Sequence, residues 1–88
     1  MRLARIVGTV TATVKAASLS GKPLLLAEAV DGAGDVLEAG IVAVDTVGAG
    51  VGDTVILAQG SAARLPAATA TAPVDAAVVA IVDSVGIR

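Results

Sequence analysis

Phenylalanine, tryptophan, tyrosine, histidine and cysteine have no place in this chain of 88 residues. Each absence excludes something. Without cysteine there is no disulfide and no thiol nucleophile, and without histidine there is no imidazole general base. Lacking both, the chain has no ligand set for a structural zinc. Without aromatic rings there is no platform on which single-stranded bases could stack. Cations are few too: six Lys and Arg stand against eight Asp and Glu, for a net charge of −2 and a pI near 4.7. A phosphate backbone needs clustered Lys and Arg, so nucleic acid is not an expected partner. No catalytic residue, metal or cofactor is expected.

Long apolar runs are missing despite a hydrophobic content of 56% and a mean hydropathy of +0.90. The longest clean run, Ala76 to Val82, falls far short of the roughly 20 residues a membrane-spanning helix needs. The start, Met1-Arg2-Leu3-Ala4-Arg5, carries charge but no long apolar core and no convincing cleavage site. A cytoplasmic protein, away from any membrane, is the expectation.

The apolar content is almost wholly Ala, Val, Leu and Ile. Residues 1–88 read as one small domain, with no internal repeat and no boundary. A domain this small buries only about 60% of its unfolded surface. With no disulfide or metal to brace it, oligomerisation is the remaining support. The small apolar side chains also exceed what one core can hide, so some belong at subunit interfaces.

Leu3 to Val14 alternates with period two and is rich in β-branched residues, which predicts a strand. Gly8 within it predicts a bulge or bend. A polar connection over Lys15–Gly21 leads to a second strand, Lys22–Val30, with Pro23 at its start because proline cannot donate to a ladder. Asp31-Gly32-Ala33-Gly34-Asp35 reads as a hairpin loop. Val36–Gly40 leads into a third strand, Ile41–Val47. Gly48-Ala49-Gly50-Val51-Gly52-Asp53 then reads as the turn of a second hairpin, with Thr54–Ala58 as its other strand. Ser61 is placed to cap a short helix through Leu65, which Pro66 limits. Ala67–Ala72 reads as an exposed spacer. Pro73-Val74-Asp75 reads as a turn, with Asp75 able to cap one helical turn. Ala76–Val85 is unbroken and apolar, the pattern of a strand buried on both faces, by the core and by a partner. Five strands and one short helix predict an all-β, five-stranded OB-like barrel.

No reactive constellation stands out. Ser18, Ser20, Ser61 and Ser84 have no histidine partner, and Lys15 and Lys22 near the first two read as solvated polarity. Gly48, Gly50 and Gly52 do not complete a dinucleotide fingerprint: Asp53 stands where its third glycine belongs, three after Gly50, and a strand rather than a helix follows. Asp31, Asp35 and Asp53 read as turn acids, without the spacing or terminal glutamate of a calcium loop. Asp75 and Asp83 read as capping or rim residues of the last strand. Asp45, placed mid-strand, either faces solvent or accepts a backbone or inter-subunit hydrogen bond, because a buried lone carboxylate is costly. Arg64 and Arg5 are the candidates for inter-subunit ion pairs, with plain solvation as the alternative.

Three stretches together resemble the EutN/CcmL family, the pentameric vertex proteins of bacterial microcompartment shells. They are Leu3-Ala4-Arg5-Ile6-Val7-Gly8-Thr9-Val10; the run from Ala43 through Asp45, Gly48, Gly50 and Asp53 to Gly60-Ser61-Ala62-Ala63-Arg64; and Pro73-Val74-Asp75-Ala76-Ala77-Val78-Val79-Ala80-Ile81-Val82-Asp83. Lys22-Pro23-Leu24-Leu25-Leu26 sits where the family has its leucine-rich second strand. Ala62 stands where a serine is common, and Ala80 where a glycine is common. The resemblance implies an OB-like barrel in a cyclic homopentamer that caps the five-fold vertices of a shell with hexameric facets. It therefore implies a structural protein, not an enzyme, whose partners are its own copies and hexameric shell proteins. By the same resemblance, Gly48, Ala49 and Gly50 are candidates to line an axial opening. Arg64, Val78, Val79 and Ile81 are candidates for the subunit interface. The alternative is an OB-like binding module for oligonucleotide or oligosaccharide, which the missing aromatics and the negative charge disfavour.

Overall fold

The computed structural model describes residues 1–87. Five strands, β1 (Arg2–Val10), β2 (Leu24–Val30), β3 (Val36–Asp45), β4 (Thr54–Gln59) and β5 (Ala76–Ile81), close into a barrel in the order β1-β2-β3-β5-β4. All neighbours are antiparallel except β3 and β5, which run parallel and meet only at Val44–Ala77 and Asp45–Val78. The helical elements among the described residues are three short 3₁₀ turns, Ala17–Leu19, Gly60–Arg64 and Ala67–Thr69.

β1 alternates as its sequence predicts, with Ala4 and Ile6 buried and Val7 and Thr9 exposed. Its register against β2 slips between Ile6 and Gly8, which leaves Val7 as the extra residue of a bulge. The strand ends at Val10 rather than Val14, because β2 begins opposite it at Leu24, just after Pro23. The Asp31–Asp35 loop joins β2 and β3 as a hairpin, and β3 starts at Val36, earlier than expected.

The second expected hairpin does not form. β3 and β4 flank the glycine loop in sequence yet are not neighbours in the barrel, because β5 lies between them. β4 has both flanks taken, by β1 and by β5. The short helix at Ser61 is a five-residue 3₁₀ turn that starts at Gly60, and Ser61 lies inside it without capping it. No helical turn follows Asp75. β5 starts at once, and the Asp75 carbonyl accepts from the Gly60 N–H at 2.8 Å. β5 ends at Ile81 because β4, its partner, runs out: the Val82 N–H reaches the carbonyl of Thr54, the first residue of β4.

Ala4, Ile6, Leu25, Ala27, Val55, Leu57 and Val78 are among the side chains that fill the barrel. A second cluster, Val44, Ala63, Ala72, Val74 and Ala77, lies under the crossover of residues 60–75. That crossover explains the both-faces burial of β5: Ala76 and Val78 face the barrel interior, while Ala77 faces the crossover. Both covers come from the chain itself. Of the segment expected to be an exposed spacer, Ala67, Ala68, Ala70 and Thr71 are exposed, while Thr69 and Ala72 turn inward and join the lid.

Candidate functional site

The loop after β3 is built by two carboxylates. Asp45 closes the strand, and its Oδ1 accepts the N–H groups of Val47 at 3.0 Å and Gly48 at 3.1 Å. Of the expectations for Asp45, the backbone hydrogen bond is the one observed. Asp53 Oδ2 accepts the Gly50 N–H at 2.8 Å, as a turn acid does. The far end of the loop is stitched to β1: Ile6 N–H donates to the Asp53 carbonyl, and Gly52 N–H donates to the Ile6 carbonyl. Gly48 at φ +82° and Gly52 at φ +95° hold left-handed backbone that a side chain would strain.

Of the candidates for an axial opening, Gly48 and Gly50 are exposed, while Ala49 is partly buried against the barrel interior. The interface candidates divide. Val78 has no exposed surface in a single chain, being enclosed in the barrel, so it has nothing to offer a partner. Val79 is partly buried against the crossover cluster, and Ile81 is 42% exposed. Arg64 is exposed, with its Nη1 3.4 Å from the carbonyl of Val74 in the same chain. Arg5 bonds within the chain too, from Nη2 to the Gly34 carbonyl at 3.3 Å.

Sequence reasoning missed two features. Arg2 Nη1 pairs with Glu38 Oε1 at 2.7 Å, across β2. Their separation in sequence gives no local signal; only the register of three strands brings them together. The second is a set of exposed apolar side chains on β3, namely Val36, Leu37 and Val42. An unbroken strand from Val36 would have pointed to them.

The remaining acids are modest chemically. Asp31 Oδ1 accepts the N–H groups of Ala33 and Asp35 and so is a turn residue. Among the described residues, no group of three or more potential metal ligands is gathered, and no helix is long and apolar enough to cross a membrane. The arrangement offers backbone geometry and apolar surface, the materials of a contact.

Comparison with known proteins agrees. The family described as "Ethanolamine utilisation protein EutN/carboxysome" matches residues 1–83. The carboxysome shell vertex protein CcmL of Synechococcus elongatus is 45% identical over 88 residues, covering 100% of this chain and 89% of that protein. The bacterial microcompartment shell vertex protein PduN of Salmonella typhimurium is 46% identical over 88 residues, covering 96% of this chain and 97% of that protein. Among solved structures, the GrpN pentameric microcompartment shell protein of Rhodospirillum rubrum superposes with a TM-score of 0.89 at 42% identity, covering 100% of this chain and 99% of that one. These relatives are named for shells and vertices, which gives the oligonucleotide or oligosaccharide module no support. By fold, by motif and by similarity over almost its full length, the chain belongs to the EutN/CcmL family.

Proposed function

We propose that this protein is a structural component of a bacterial microcompartment shell, a homopentamer that closes five-fold vertices among hexameric shell proteins. The observation that carries this reading is the match, over the whole of both chains, to a solved pentameric shell protein. The composition supports it. A small barrel without disulfide or metal, with large apolar side chains left exposed, gains stability by burying that surface against copies of itself. The carboxylates Asp31, Asp45 and Asp53 are engaged in turns, which suits a protein whose task is assembly.

In this reading, Gly48, Ala49 and Gly50 approach the five-fold axis, and Arg64, Val79 and Ile81 contribute to the seams between subunits. Small residues at the axis let wedge-shaped subunits come close. Sedimentation of the purified protein tests the assembly: a mass near five times 8.4 kDa, roughly 42 kDa, is expected. A single-chain mass, or a four- or six-fold ring, would defeat the proposal. Co-expression with hexameric shell proteins tests the vertex role. Closed particles should form with the protein, and elongated or unclosed ones without it. For the axis, Ala49→Leu should perturb the ring, and an unaltered pentamer with residue 49 far from the axis would remove the loop from that role.

A further inference from the structure

For most of its length β3 has a neighbour on one flank only. β2 pairs with it from Val36 to Val44, whereas β5 reaches it only at Val44 and Asp45. The other flank of residues 36–43 has no strand partner among the described residues, and the tail touches the neighbouring turn only through Ile87 against Gly32. β1 is open in the complementary sense. β4 covers Arg2 to Arg5, the loop backbone bonds Ile6, and Val7–Val10 run on with β2 alone. An open flank presents unpaired backbone N–H and C=O groups to any passing strand. Monomeric proteins guard such flanks with lysine, proline or stray charge. Here the β3 flank has one charge, Glu38, and Arg2 of the same chain already engages it. Leu37 beside it is 63% exposed.

Charge is arranged to match the two flanks. Residues 1–27 hold Arg2, Arg5, Lys15 and Lys22 and no carboxylate; residues 28–38 hold Glu28, Asp31, Asp35 and Glu38 and no cation. Arg2 and Arg5 are bonded within the chain, and Lys15 Nζ donates to the exposed Ala12 carbonyl at 2.6 Å without meeting a carboxylate. Lys15 and Lys22 lie in the loop between β1 and β2, next to the open flank of β1. Asp31 and Asp35 lie in the turn between β2 and β3, next to the open flank of β3. β2 separates the two groups by about 20 Å, at about 3.3 Å per residue. Physiological salt screens charge beyond about 8 Å, so the groups scarcely sense each other within one chain. In a neighbouring copy they can meet.

We infer that the open flank of β3 in one copy seats the open flank of β1 in the next, with the next copy's Lys15 and Lys22 set against Asp31 and Asp35. The inference rests on the pentamer reading above and names its seam. The contact joins two different patches, so it repeats head to tail until a ring closes. It also uses backbone pairing, which gives affinity without large side chains, as a chain without aromatics requires.

The test is the concentration at which the roughly 42 kDa ring dissociates into 8.4 kDa subunits, measured by sedimentation. Leu37→Lys, Asp35→Lys and the double variant Lys15→Glu/Lys22→Glu should each raise it by about tenfold or more, in the range of a lost interfacial contact. Asp35 is chosen over Asp31 because Asp31 holds the turn. Combining Asp35→Lys with the lysine reversals should restore much of the loss. Circular dichroism keeps the result interpretable, because Leu37 and Asp35 are exposed and the subunit should stay folded. If Leu37→Lys misfolds, Val36→Lys replaces it. Rings that dissociate as wild type in every variant would overturn the seam and leave the vertex reading standing. Failure of the combined variant to recover would overturn the lysine–aspartate pairing. A wild-type protein that never rises above 8.4 kDa would defeat the vertex reading itself.

Discussion

The hydroxyl of Thr69 donates to the carbonyl of Ala63 at 2.6 Å, sealed between the crossover and the barrel wall. Thr69 is the one wholly buried polar residue among those described, and its oxygen also lies 3.2 Å from the Pro66 carbonyl. The bond ties the 3₁₀ turn at Gly60–Arg64 to the one at Ala67–Thr69 and so holds the lid over Ala77 and Val44. Thr69→Val keeps the shape and leaves a buried carbonyl without its donor. It should cost about 1–3 kcal/mol in denaturant unfolding, and Thr69→Ser should cost less because the hydroxyl survives.

Leu57 is fully buried and is among the largest side chains of a barrel that has no aromatic residue. Leu57→Ala should cost about 2–5 kcal/mol, the range for a buried leucine removed without collapse of its surroundings. For a domain of this size that is a large share of the total. Chemical denaturation of the variant should show a midpoint well below that of the wild type, in proportion to the loss. A change under about 1 kcal/mol would mean that the small neighbours, Ala4, Ala27 and Ala43, close over the space.

Asp45 holds the entry to the glycine loop through two backbone N–H groups. Asp45→Ala leaves both donors to water and should cost about 0.5–2 kcal/mol, by analogy with loss of a helix cap. Asp45→Asn keeps an acceptor oxygen and should lose much less. Hydrogen exchange at Val47 and Gly48 reads the effect directly: both amides should exchange faster in Asp45→Ala and near wild-type rates in Asp45→Asn.

The Arg2–Glu38 pair is short, at 2.7 Å, but its side chains are 34% and 55% exposed. Arg2→Ala should therefore cost no more than about 1 kcal/mol, and a double-mutant cycle with Glu38→Ala should give a coupling of about 0.2–1 kcal/mol that fades with salt. A larger effect on ring mass than on subunit unfolding would show that freeing Glu38 spoils the open flank of β3.

If the folded subunit associates and the unfolded one does not, the thermal midpoint must rise with protein concentration. A tenfold dilution series read by circular dichroism should move it downward, and a midpoint independent of concentration would argue for a self-sufficient monomer.

Individual strands were legible because their cause is local. Alternation in Leu3–Val10, Pro23 before Leu24, and Asp31 with Asp35 around a glycine turn all act over a few residues. The family was legible for a similar reason: its motifs are short and occur in order. The strand neighbours were not. Gly48 to Asp53 between two β-branched runs carries the marks of a hairpin turn, yet the loop crosses to β1 and β5 fills the gap beside β3.

Composition and alternation determined that this chain is β-rich and poor in reactive groups, because those properties follow from which side chains are present and how they alternate. Only the folded barrel decided that Val78 is enclosed while Leu37 is bare, and that Thr69 and Ala72 turn inward from the crossover. Burial and strand pairing are set by segments far apart in sequence that compete for the same interior and the same flanks, and no local pattern records which of them wins.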